Sequence, residues 1–339
     1  MNRRSWMMAA VTFLTSACLI LGVLYRVPAA EKEDGLTGQF DVAADGTIAY
    51  VTQENGKPSL SVKSDVNELL VQLPTDRSIL DIAITADGES VLYAVSDKEL
   101  GTESRSTVFR LDRLTGESGK LFSADAVITE LVMDPKAADR LFYLQADRFS
   151  DYSPGAMLYP YGFDVHSYDL ARGQHEKHTD MDRQSMSSLQ VSAEEEAVYV
   201  QMDEETGGRG TAEEVDAVGR IFKIPLSDPD RKLVISIPED TADLYDFVLI
   251  PERSELIYQA IAGTDEDGFL EYELFSYNWG TQQIEKLTRL HAYAGTPIYG
   301  MDGRVYFMAD EAFGRNDSDV KLYSMEPDGR TLVQIDLDS

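Results

Sequence analysis

The stretch Ile82-Ala83-Ile84, Thr85-Ala86-Asp87-Gly88, Val91-Leu92-Tyr93-Ala94-Val95, Val108-Phe109-Arg110-Leu111, Leu114-Thr115-Gly116, Lys120-Leu121-Phe122 decides the fold. It reads as an apolar strand, a turn carrying the Asp-Gly pair that tight turns favour, and a second strand with a tyrosine at its centre. A third strand, a second turn and a fourth strand complete the unit. The first half of the unit recurs from Phe40-Asp41-Val42, from Leu131-Val132-Met133, from Leu189-Gln190-Val191, from Phe247-Val248-Leu249 and from Pro297-Ile298-Tyr299. The central tyrosine recurs with it, at Tyr50, Tyr93, Tyr143, Tyr199, Tyr258 and Tyr306. Two further short strands follow each copy, such as 221–224 and 233–235 in the fourth.

Four short strands per unit, spaced at 43 to 59 residues along these tyrosines, read as propeller blades. A single four-stranded sheet cannot bury both of its faces. Six of them set radially bury each face against a neighbour, and closing the ring protects the edges. The expected class is all-β: a six-bladed β-propeller of four-stranded antiparallel blades, preceded by one N-terminal transmembrane helix. The expected organisation is a cytoplasmic stub and signal anchor over 1–29, a linker over 30–38 and the propeller over 39–339. The repeat starts on a first strand and ends on a fourth, so the ring is expected to close without a composite blade. The six tyrosines are expected to fill the spaces between blades rather than to hold a cofactor.

The unit at residues 82–122 resembles the repeat of TolB-like six-bladed propellers (the WD40-like, or PD40, repeat), in which a Ser-Pro-Asp-Gly turn precedes the second strand. Here Thr85-Ala86-Asp87-Gly88 and Ala43-Ala44-Asp45-Gly46 keep only the Asp-Gly, and the third, fourth and fifth copies lack it. The resemblance spans residues 39–337 and implies a fold. That fold hosts periplasmic scaffolds, sugar-binding proteins and peptidase accessory domains, so it selects no activity.

Composition narrows the partners. Sixty Asp and Glu against thirty Lys and Arg give a formal net charge of −30 over 339 residues. Such a field repels a phosphate backbone, which argues against nucleic acid, and it repels an anionic lipid surface from the folded body. It favours cations and basic partners. The one cysteine, Cys18, lies in the apolar N-terminal run, so the body has no disulfide and no thiol chemistry.

That N-terminal run is Trp6 to Tyr25, free of charge, preceded by Arg3-Arg4 and ended by Arg26. About twenty apolar residues match the thickness of a bilayer, and the leading arginines keep the N-terminus in the cytoplasm. Three fates fit it: an uncleaved signal anchor, a signal peptide cut near Val27-Pro28-Ala29-Ala30, or a lipoprotein signal ending at Cys18. The anchor is the reading adopted, which expects a single-pass protein of the cell membrane with its propeller outside. The lipoprotein reading fits least, because Thr15 stands where a lipobox usually carries Leu and the apolar run continues past Cys18.

In a propeller the second-to-third loops and the blade-to-blade loops share one face. Here the second-to-third loops are the long ones, at about 96–106, 147–165, 203–219, 262–271 and 310–319. Length and irregularity on one face mark a binding face. The 147–165 loop offers Tyr152, Tyr159, Tyr161 and Phe163 as an aromatic platform; the 203–219 loop offers Glu204 and Glu205 to a cationic group. The expected occupant is a protein, peptide or glycan. No catalytic residue, cofactor or metal site is expected. No acidic loop has the spacing of a known calcium loop, and His175 and His178, three apart on a strand or turn, do not aim at one ion. The chain lacks Gly-x-Ser-x-Gly, His-Glu-x-x-His, a phosphate loop and a dinucleotide fingerprint. The leading reading is a membrane-anchored binding or scaffold module of a bacterial envelope. The alternative is a hydrolase or lyase acting on a glycan or peptide, with catalytic residues drawn from several blades.

Overall fold

The computed structural model describes residues 34–150, 159–183, 185–204, 218–236, 244–313 and 319–337. In them the alternating apolar stretches form six antiparallel units of four strands. Blade 1 holds β1 (Gly35–Val42), β2 (Ile48–Glu54), β3 (Lys57–Lys63) and β4 (Asn67–Gln72). Blade 2 holds β5 (Arg77–Ile84), β6 (Ser90–Asp97), β7 (Ser106–Asp112) and β8 (Ser118–Ala124). Blade 3 holds β9 (Val127–Met133), β10 (Arg140–Ser150), β11 (Tyr159–Asp169) and β12 (Gln174–Lys177). Blade 4 holds β13 (Ser187–Ser192), β14 (Ala197–Glu204), β15 (Val218–Pro225) and β16 (Leu233–Val234). Blade 5 holds β17 (Phe247–Ile250), β18 (Glu255–Thr264), β19 (Leu270–Asn278) and β20 (Gln283–Lys286). Blade 6 holds β21 (Tyr293–Tyr299), β22 (Val305–Asp310), β23 (Val320–Met325) and β24 (Val333–Ile335). Each strand read from the sequence overlaps one of these.

The first strands form the inner wall. They touch in turn from β1 to β5, β9, β13, β17 and β21, and β21 touches β1 again. The ring closes by packing: Phe40, Val42, Ile48 and Tyr50 of blade 1 share a core with Tyr306, Met308 and Leu322 of blade 6. The Leu337 carbonyl then accepts the Asn67 side-chain amide at 2.6 Å. Among the described residues no strand from the N-terminal side pairs into blade 6, so each blade uses its own four strands. Blades 5 and 6 are joined by one parallel pairing, Tyr272↔Tyr293.

Two readings of the sequence are corrected. β1 begins at Gly35, inside the stretch 30–38 read as linker, where Gly35↔Gln53 and Leu36↔Thr52 pair. Gly35 and Gly38 take φ +118° and +100°. Such glycines interrupt the apolar alternation by which a strand is recognised. The long loops are also shorter than read. β10 runs to Ser150 and β11 starts at Tyr159, while β18 runs to Thr264. Ladder hydrogen bonds need no apolar side chain, so hairpins continue past the core into polar sequence.

The six tyrosines are all buried between blades, but they are not equivalent. Tyr50, Tyr93, Tyr143 and Tyr258 pack against the preceding blade. Tyr199 and Tyr306 pack against the following one. In blade 4 the preceding blade is met by Val198 and Val200 instead. A slip of one residue turns a strand side chain to the other face. The two reversed tyrosines donate their hydroxyls to Glu195 and Asp302, each four residues upstream.

The predicted N-terminal span lies outside the described residues. No helix among the described residues is long and apolar enough to cross a membrane.

Candidate functional site

The inner wall carries a carboxylate in, or just ahead of, the first strand of four blades. Asp41 of β1 accepts the N–H of Ile84 on β5 at 2.8 Å, and Asp81 of β5 accepts the N–H of Leu131 on β9 at 2.7 Å. Glu130 of β9 accepts the N–H groups of Ser188 and Leu189 on β13 at 2.8 and 2.6 Å. Asp246, just ahead of β17, accepts the Ser188 hydroxyl at 3.1 Å and the N–H of Thr296 on β21 at 3.3 Å. Bulges make the Ser188, Leu189 and Thr296 bonds available, while Ile84 and Leu131 offer N–H groups from the inner edge of regular ladders. The ladders of β1, β5, β9, β13 and β21 all shift register near these positions. Ser188 and Thr296 are held at φ +56° and +49°. A bulge frees N–H groups from the ladder, and the acid of the preceding blade takes them.

Burial between first strands penalises the charged form of all four groups. It raises Asp41 to about 6 against the pull of its two backbone N–H partners. It raises Glu130 to about 7, helped by repulsion from Asp246. Asp81 stands well above the usual range through burial and the Glu130 charge, and burial also raises Asp246. These acids act as protonatable staples between blades. Among the described residues no group of three or more His, Cys, Asp or Glu is placed to hold a metal ion. The sequence reading missed them, though a signal exists: Asp41-Val42, Asp81-Ile82, Glu130-Leu131 and Asp246-Phe247 each set an acid directly before an apolar residue of the first strand.

Above the acids the second-to-third hairpins form the mouth of the ring. On one side the starts of β1, β5 and β23 border a cavity of about 580 Å³, lined by Leu36, Thr37, Gln39, Ser78, Leu80 and Asp319. On the other side four rings from blades 5 and 6 meet. Tyr272 lies 5.5 Å from Tyr245, 5.6 Å from Tyr293 and 5.6 Å from Phe313, while Tyr293 and Phe313 stack at 4.7 Å. Phe313 is 40 % exposed, and Ile261, Phe269 and Leu270 of the β18–β19 hairpin are also exposed. Ile261 is the cross-strand partner of Tyr272, and Leu270 is two residues before Tyr272, so the three share a face of the hairpin. The turn that carries Phe269 is acidic, with Asp265, Glu266 and Asp267. Glu311 precedes Phe313 by two residues, and Glu271, on the other face of its strand, meets His291 Nδ1 at 3.2 Å.

The residues expected to form the platform are dispersed. Phe163 is 7 % exposed and belongs to the core shared by blades 3 and 4, so it is not a surface residue. Tyr161 is half-buried under the Arg148 guanidinium, 5.6 Å from its ring centre. Arg148 is in turn paired with Asp182 at 2.5 Å. Tyr159 opens β11 opposite Ser150, and Glu204 closes β14 opposite Val218. Tyr152 and Glu205 lie outside the described residues. The aromatic surface that is visible comes from blades 5 and 6, from residues separated in sequence by up to 68 positions (245 to 313).

Three of the four histidines pack against neighbours, while His291 is exposed beside Glu271. His166 stacks on Tyr143 at 5.4 Å, and burial lowers its pKa to about 4. His175 Nδ1 meets the Tyr143 hydroxyl at 2.9 Å, and His178 Nε2 meets the Ser167 hydroxyl at 2.8 Å.

No protein-family model matches the chain, and no curated protein matches its sequence. Solved structures do match its fold. TolB from Acinetobacter baumannii superposes with a TM-score of 0.59 at 14 % identity, over 93 % of this chain and 66 % of TolB. The chain thus spans just under two thirds of TolB. An oligogalacturonate lyase in complex with manganese gives 0.53 at 12 % identity, over 87 % of this chain and 78 % of the lyase. A chain of a nidogen/laminin complex gives 0.55 at 10 % identity, over 86 % and 92 %. At these identities the likeness is one of fold: the chain has the TolB-like β-propeller architecture.

Proposed function

We propose that the protein is an extracytoplasmic binding or scaffold module, held at the cell membrane by the apolar segment Trp6 to Tyr25, and that its partner seats on the long-hairpin face. The observation that carries this reading is the aromatic surface of Tyr245, Tyr272, Tyr293 and Phe313, with exposed Ile261, Phe269 and Leu270 around it. Contiguous aromatic and aliphatic surface at a rim of polar residues is what a partner desolvates on docking. The nidogen/laminin neighbour is a propeller seen with a protein partner, and TolB shares the fold. The acidic rim adds preference for a basic partner.

The test places a photo-crosslinking residue at Phe313 or Tyr161 on this face, and at Leu114 on the third-to-fourth turn of blade 2, in intact cells. Leu114 is 82 % exposed. A discrete adduct from the first two positions and none from Leu114 supports the reading; the reverse pattern, or no adduct anywhere, overturns it. Alkaline extraction of membranes checks the tether, since an anchored chain stays with the lipid.

A further inference from the structure

The chain joins the ring from the mouth side. β1 starts beside the end of β2, with Gly35 opposite Gln53, and Asp34 Oδ1 accepts the N–H of Asn55 in the β2–β3 turn at 2.7 Å. That turn belongs to the same face as the β18–β19 and β22–β23 connections that carry Phe269, Leu270 and Phe313. Only nine residues, 26–34, separate the apolar segment from Gly35. Fully extended, ten Cα steps reach about 33–36 Å.

That length argues against the face opposite the mouth meeting the bilayer. β1 is the innermost strand of its blade and β4 the outermost. A tether passing over the blade and down its outer edge must cross three strand spacings, about 14 Å, and then a seven-residue strand height, about 23 Å. The path is about 37 Å before any side chain or headgroup layer is counted, and it exceeds the reach. A short tether leaving the mouth directly has no such difficulty.

We propose that the long-hairpin face is turned toward the bilayer, and that its aromatic patch at blades 5 and 6 docks a basic, apolar-bearing extracytoplasmic segment of a neighbouring membrane protein. The inference rests on the tethered-binding reading and adds the orientation and the class of partner. Anything seated on this face lies within about 36 Å of the membrane, the reach of the tether. The charge pattern selects among occupants there. Asp265, Glu266 and Asp267 lie in the hairpin turn just before Leu270, Glu311 precedes Phe313 by two residues, and the whole chain carries −30, which opposes adsorption to anionic lipid. A Lys- or Arg-bearing segment gains from both features: its ammonium or guanidinium groups meet carboxylates and ring faces, and its apolar side chains cover Ile261, Leu270 and Phe313.

Two measurements on the full chain test this. In the first, Cys18→Ser removes the one native thiol, and a single fluorophore is attached through Phe313→Cys or Leu114→Cys in nanodiscs whose headgroups carry an energy acceptor. Transfer from position 313 should exceed that from 114 several-fold. Inserting forty Gly and Ser residues after Ala30 should erase the difference. Equal transfer without the insertion, or stronger transfer from 114, overturns the orientation. In the second, the detergent-solubilised chain is titrated with two peptides of equal length, one alternating Lys and Leu, the other Glu and Leu. The Lys peptide should bind at least tenfold tighter, and Phe313→Ser with Leu270→Ser should abolish that preference without moving Tm. Equal binding of the two peptides, or a preference that survives both substitutions, overturns the docking surface. Adsorption of the chain to peptide-free anionic vesicles that is lost in Phe313→Ser also overturns it, in favour of lipid. Equal energy transfer from positions 313 and 114 would sink the orientation and leave the binding-module reading intact, whereas release of the full chain by alkaline extraction would sink the tether itself.

Discussion

Glu130 on the first strand of blade 3 accepts the backbone N–H of Ser188 on the first strand of blade 4 at 2.8 Å, and Ser188 holds φ +56° to offer it. The Ser188 hydroxyl then reaches Asp246 at the start of blade 5 at 3.1 Å. One residue in an unfavourable backbone conformation thus connects three blades. Ser188→Ala keeps the N–H and loses the hydroxyl bond, leaving Asp246 with one fewer partner. It should lower stability by about 1–2 kcal/mol in urea unfolding. Ser188→Gly should lower it less, because glycine accepts the positive φ without strain. If Ser188→Ala unfolds at the same urea concentration as the parent, the hydroxyl contributes nothing.

Stability should fall as pH rises from 5 to 8. Asp41 and Glu130 are raised in the folded chain to about 6 and about 7 from ordinary values of 3.8 and 4.5. The folded chain therefore holds protons that the unfolded chain releases. Their contribution is complete below about pH 4 and is lost as pH climbs through the folded values. Asp81 and Asp246, also raised, act in the same direction. A drop in Tm of several degrees between pH 5 and pH 8 is expected. Glu130→Gln should flatten that dependence while lowering stability throughout, since its amide nitrogen cannot accept an N–H. A Tm that rises steadily from pH 5 to pH 8 would show that these carboxylates are ionised in the folded chain.

Tyr161 and Phe163 are two residues apart on β11 but should respond differently. Phe163 fills the core between blades 3 and 4, so Phe163→Ala should cost about 3–5 kcal/mol. Tyr161 is half-buried under Arg148, and Tyr161→Ala should cost about 1 kcal/mol or less. Thermal melts of the pair separate the two; similar losses would mean that Tyr161 is also core.

Gly162 lies between them at φ +79°, and a Cβ there would meet Asp147 Oδ1 at 2.6 Å and Asp182 Oδ1 at 3.1 Å. Gly162→Ala should destabilise by about 1–3 kcal/mol. Gly101→Ala, at a position without positive φ where the added methyl meets nothing within 4 Å, should be neutral. Circular dichroism melts of both decide it, and a neutral Gly162→Ala would mean that the Arg148–Asp182 hairpin base yields freely.

The sequence by itself determined the number of blades, the order of their strands, closure without a shared blade and the burial of the recurring tyrosines. These follow from period-two alternation and from turns such as Ala86-Asp87-Gly88, which act over a few residues and can be read locally. Tertiary structure alone decided which neighbour each tyrosine faces, because the one-residue slip in blades 4 and 6 shows only when adjacent sheets are in place. It also decided what the inner acids do. Asp41, Asp81 and Glu130 find N–H groups 43, 50 and up to 59 residues away, on the inner edge of the next blade. The aromatic surface at the mouth has the same origin. Tyr245, Tyr272, Tyr293 and Phe313 sit in four separate segments with no common spacing, and only the packing of blade 5 against blade 6 brings their rings within 6 Å.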